Sequence, residues 1–119
     1  MMKEVLLWCF TPEFFQHERD MANEFDAALS GITQPVEAYL SQLHSIQTHD
    51  ASARLGQITA PTLVLGAPQD LIFPPRQSQQ LHEGIGASRL HFTDHGGHAF
   101  MWEVSAEFNQ AVLSFLAAD

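Results

Sequence analysis

Asp70, at the end of "GAPQD", and His98, at the end of "TDHGGH", are residue types that can work together in moving a proton. A carboxylate on one imidazole nitrogen fixes the ring's tautomer and stabilises the imidazolium formed when the other nitrogen takes a proton. Each residue follows a short apolar run, "PTLVLGA" for Asp70 and "LHF" for His98. In open α/β sheets, functional side chains gather in the loops beyond the carboxyl ends of the strands. Adjacent parallel strands lie about 4.8 Å apart, close enough for two such loops to touch. Gly96 and Gly97 are expected to turn the chain with positive φ, so that His98 folds back over the strand ends. Taken singly, both residues have plainer readings. An Asp after a strand is often a turn former or a helix cap, and a lone His is often structural.

Other groups could do chemistry as well. His95 and His98 with Asp94 could contribute to a metal site, which needs three or four convergent ligands. His17, His44, His49, His82 and His91 show no paired spacing, so neither a metal nor another cofactor is expected. His91 alternates with Leu90 and Phe92 and is expected to face outward. Gly84 and Gly86 punctuate a helix end and have no Lys after them, so they do not form a phosphate loop. Cys9 lies in an apolar run and reads as a buried structural thiol. Ser30, Ser41, Ser45, Ser52, Ser78, Ser88, Ser105 and Ser114 all lack the glycine frame of a strand-to-helix nucleophile turn.

The elements that position Asp70 and His98 lie in the second half of the chain. "PTLVLGA" is apolar without alternation, as in a strand covered on both faces. "RQSQQLHEGIG" reads as a helix, "SRLHF" as a second strand and "SAEFNQAVLSFLAA" as a closing helix. Strand, helix and strand within about 30 residues make a βαβ unit, with parallel strands and a right-handed crossover. The first half has helical period. "TPEFFQHERDMANEFDAALSG" reads as one helix, with Thr11 as N-cap, Pro12 in its first turn and Gly31 as its stop. Val36, Tyr39, Leu40, Leu43 and Ile46 form a stripe on a second helix. A shorter helix runs from Asp50 as cap to Gly56.

Composition narrows the function classes. The chain has 119 residues, 45% of them hydrophobic, with nine Phe, which supports a folded core. Fourteen acidic and five basic residues give a net charge of −9, with no basic cluster to hold nucleic acid or an anionic membrane. The single cysteine cannot form an internal disulfide, which suits a reducing compartment. The apolar run from Val5 to Phe10 is too short for a secretory signal, and no small-residue cleavage site follows it. A soluble, cytoplasmic chain is expected.

"ITAPTLVLGAPQDLIFPP" and "LHFTDHGGHAFMWEVSAEFNQAVLSFL" together resemble the C-terminal part of an α/β-hydrolase fold enzyme. Such enzymes carry their acid after the penultimate core strand and their histidine in a "GH" before the last helix. Asp70 matches the acid and His98 the base. The resemblance implies an α/β fold with two parallel strands and flanking helices over residues 58–119, preceded by helices of a lid over residues 1–57. The finer similarity is to aminoacrylate and enol-lactone hydrolases. It implies Ser-His-Asp hydrolysis of a small ester, lactone or amide, with a small-molecule carbonyl substrate as partner. The family's G-x-S-x-G nucleophile motif does not occur in the 119 residues, so this chain alone is expected to be inactive. The rival expectation is a non-catalytic interaction module that self-associates or complements a partner through the open edge of "PTLVLGA".

Overall fold

The computed structural model describes residues 2–118. Helices α1 (Met2–Cys9), α2 (Pro12–His17), α3 (Arg19–Ser30) and α4 (Val36–Thr48) come first, followed by a 3-10 helix (Ser52–Gln57). Strand β1 (Thr62–Gly66), helix α5 (Pro75–Gly84) and strand β2 (Ser88–Phe92) form the βαβ unit, and α6 (Phe100–Glu103) and α7 (Ser105–Leu116) close the chain.

β1 and β2 pair in parallel, with Thr62 opposite Ser88 and Gly66 opposite Phe92. Beyond the paired residues, Thr62 N–H donates to Ala87 O (3.0 Å) and Thr93 N–H to Gly66 O (3.1 Å). Both strands therefore end at one level, and the loops bearing Asp70 and His98 leave side by side. α5 starts at Pro75, where a missing N–H costs nothing, and its far end is closed by Ser88. The Ser88 hydroxyl lies 2.8 Å from His82 Nδ1 and 2.7 Å from Ile85 O, so His82 belongs to this turn.

The N-terminal half differs from the sequence expectation in three places. Residues 2–9 are helical, and Leu6 of α1 is buried with Phe10 and Phe14. The single helix expected after Thr11 is two, broken at Glu18, whose φ of −119° and ψ of 46° are not helical. No Gly or Pro marks that break. It turns α3 so that Met21, Ala22, Phe25 and Leu29 pack on the Leu6–Phe10–Phe14 cluster. Thr11 caps α2 as expected, its Oγ accepting from Phe14 N–H. The α4 stripe has the expected spacing but lies open to solvent, from 36% exposed at Leu43 to 74% at Ile46.

Two buried clusters result. One holds Leu6, Phe10, Phe14 and Ala99, with the Phe10 and Phe14 rings stacked 4.1 Å apart. The other holds Ala67, Phe100 and Val104, with Leu65 and Phe108 packed against it. Ala99 and Phe100 are consecutive, so the His98 loop is anchored in both.

Candidate active site

The β1–α5 loop turns on Asp70. Its Oδ1 accepts from Ile72 N–H and Phe73 N–H, each at 2.8 Å. Its Oδ2 lies 3.1 Å from His98 Nδ1. The turn-forming and imidazole-orienting readings of Asp70 are thus both true, one on each oxygen. A carboxylate only accepts, so Nδ1 carries the hydrogen, and in the neutral ring Nε2 presents a lone pair. Asp70 is buried at 8% exposure, while the His98 side chain is 34% exposed.

A cavity of about 240 Å³ opens at this pair, lined besides Asp70 and His98 by Leu65, Gly66, Phe73, Gln77, Ser78, Leu81, Phe100 and Met101. The Phe73 ring lies 5.3 Å from the imidazole, centroid to centroid. One buried carboxylate, one half-open imidazole and an otherwise largely apolar wall are suited to accepting a proton from a group presented to Nε2.

The glycine pair does two different jobs. Gly96 has a φ of +117°, which L side chains rarely adopt. Gly97 does not share that conformation; its need is close approach, since a Cβ there would lie 2.8 Å from the Cys9 carbonyl oxygen. Gly96 N–H donates to Gln69 Oε1 and Gln69 N–H to Gly96 O, both at 3.1 Å, joining the histidine loop to the residue before Asp70.

The alternative metal grouping is not assembled. His98 is turned to Asp70, Asp94 N–H is held by Glu107, and His95 lines a separate cleft with Thr11, Glu13 and His17. Among the described residues, no group of three or more His, Cys, Asp or Glu side chains could hold a metal ion. His91 is only partly outward, with Nε2 3.5 Å from Glu107 Oε1. Burial first, then the nearby Asp70 charge, pushes the Cys9 thiol above its ordinary value and disfavours the thiolate a nucleophile needs. One residue that sequence reasoning passed over, Glu103, accepts from Gly97 N–H at 3.1 Å.

The site is thus a βαβ unit with Asp after one strand and His after the next, joined across the strand ends. The chain belongs to the α/β-hydrolase fold family, whose model matches residues 5–104. It is 40% identical over 111 residues to a candidate carbamate hydrolase, RutD, of Variovorax paradoxus, covering 92% of this chain and 39% of the relative. It is 42% identical over 71 residues to a 2-hydroxy-6-oxononadienedioate/2-hydroxy-6-oxononatrienedioate hydrolase of Klebsiella pneumoniae, covering 60% of this chain and 25% of that protein. The enol-lactonase of Burkholderia xenovorans shares the fold, with a TM-score of 0.85 at 24% identity over 97% of this chain and 43% of its own. The chain thus spans about two fifths of the length of the RutD relative and of the enol-lactonase. Among the described residues, no helix is long and apolar enough to cross a membrane.

Proposed function

We propose that this chain supplies the acid and base of a Ser-His-Asp hydrolase acting on a small carbonyl compound: an ester, lactone, amide or carbamate. The Asp70–His98 contact carries the reading. In the mechanism, a serine from a segment outside these 119 residues attacks the carbonyl. His98 Nε2 takes its proton and later delivers it to the leaving group, while Asp70 holds the ring. Residues 1–57 act as lid helices, residues 58–119 form the C-terminal part of the hydrolase core, and the setting is cytoplasmic. Relatives named as a carbamate hydrolase and as a 2-hydroxy-6-oxononadienedioate/2-hydroxy-6-oxononatrienedioate hydrolase support a small carbonyl substrate.

Complementation tests the reading. The 119-residue chain alone should not turn over p-nitrophenyl acetate above background. Co-expression with the N-terminal three fifths of the Variovorax relative should restore turnover, and His98→Ala should remove it. Turnover by the isolated chain that survives His98→Ala overturns the reading.

A second reading, of an interaction module, has its own observation. β1 pairs only with β2 among the described residues, leaving Leu63 and Leu65 with outward backbone groups on an uncharged edge. In this reading that edge pairs with a second copy of the chain.

A further inference from the structure

We infer that Glu103 is a positioning residue for His98, clamping the histidine loop to residues 9–11. The inference rests on the reading of Asp70 and His98 as an acid–base pair. Glu103 Oε1 accepts from Gly97 N–H and from Thr11 N–H, both at 3.1 Å. Its Oε2 accepts from the Thr11 hydroxyl at 2.6 Å. On the other side of His98, Ala99 N–H donates to Cys9 O at 2.8 Å. The residues immediately before and after His98 are therefore tied to one three-residue segment, one of them through this carboxylate. Thr11 has no freedom to let go, because the same hydroxyl oxygen that donates to Glu103 caps α2.

The clamp addresses something Asp70 cannot. A single hydrogen bond to Nδ1 holds the ring only while the backbone keeps it within reach of Asp70. Holding the backbone on both sides of His98 fixes where Nε2 points, and a small misplacement of a catalytic base costs rate. A carboxylate is well matched to this role, because it takes three donors on two oxygens and hydrogen bonds to a charged acceptor are stronger than neutral ones. Movement of residues 9–11 would in turn be felt at the imidazole.

Nitrogen-detected NMR of the full chain tests this without any turnover, by reading the His98 tautomer and the exchange rate of the Gly97 amide. The unsubstituted chain should show a single tautomer with hydrogen on Nδ1. Glu103→Ala should mix the two tautomers and speed Gly97 exchange about tenfold or more. Glu103→Gln, whose amide oxygen still accepts from Gly97, should restore both. A folded Glu103→Ala chain with the original tautomer and exchange rate overturns the inference, and so does failure of Gln to restore them. If Glu103→Ala does not fold, Thr11→Val, which removes only the bond to Oε2 from the clamp, decides the matter by the same two signals. Asp70→Asn separates the layers. A changed tautomer there beside an unchanged one in Glu103→Ala rejects the clamp and keeps the pair, whereas an unchanged tautomer in Asp70→Asn rejects the pair and the clamp with it.

Discussion

Gly96 and Gly97 stand beside each other for unrelated reasons, and substitution should tell them apart. Alanine at 96 must adopt a φ of +117° and place its Cβ 2.9 Å from that of Phe100. The strain alone costs about 1–3 kcal/mol, so Gly96→Ala should lower the urea midpoint markedly. Alanine at 97 keeps an ordinary backbone and meets the Cys9 carbonyl, so its loss should register mainly as separation of the histidine loop from residues 9–11. A Gly96→Ala chain with an unchanged midpoint would show that the turn relaxes freely. The contact between Asp70 and His98 was legible in the sequence because strand ends and residue types are local signals. Glu103 was not. It lies five residues after His98 among apolar neighbours, and nothing near it announces that its partner is Thr11, 92 residues away. Gly97 was not legible: positive φ was expected there, but its need is close approach to a carbonyl from the other end of the chain.

At the scale of elements, the βαβ unit could be read directly because its apolar runs are bounded by Pro61, Gly66, and the glycines that end and follow α5, Gly84 and Gly86. The helical half was harder. α1 spans only eight residues, and the break at Glu18 answers to the packing of Phe25 against Phe10, at 5.3 Å between ring centroids, and not to any local breaker. Periodicity predicted α4 but could not say what covers it. These differences give a contrast in cost. Phe10→Ala removes a ring held by Phe14, Phe15 and Phe25 and should destabilise by about 3–5 kcal/mol. Ile46→Glu, at a position 74% exposed, should leave stability within about 0.5 kcal/mol. Equal effects of the two in chemical denaturation would mean that α4 is packed in solution.

The whole molecule is open. Its accessible surface is 8749 Å² for 13.3 kDa, against about 6,500 Å² for a folded monomer of that mass. Its radius of gyration of 16.5 Å likewise exceeds the about 13.5 Å of a compact domain of this length. The excess surface, about 2,200 Å², is as large as that of a stable protein interface, and it includes the α4 stripe along with Leu7, Trp8 and Leu71. The chain should therefore associate at tens of micromolar despite its net charge of −9. Light scattering after size exclusion decides it: a persistent monomer means this surface is closed by rearrangement within the chain. Ile46→Glu and Leu40→Glu should shift the equilibrium towards monomer if α4 takes part.

The double anchorage of Ala99 and Phe100 also bears on any attempt to build chimaeras. Helices α1 to α3 cannot be treated as an interchangeable cover. A transplanted helical segment must bring a main-chain carbonyl to meet Ala99, a hydroxyl where Thr11 stands, and a hollow shaped for a methyl group. A donor lacking these features would still fold around its own aromatic rings, yet would leave the imidazole aimed by one anchor instead of two. Recombination within the family is thus constrained at a seam far from any joint visible along the chain, and compatible donors can be sorted by the residues that align with 11, 99 and 103.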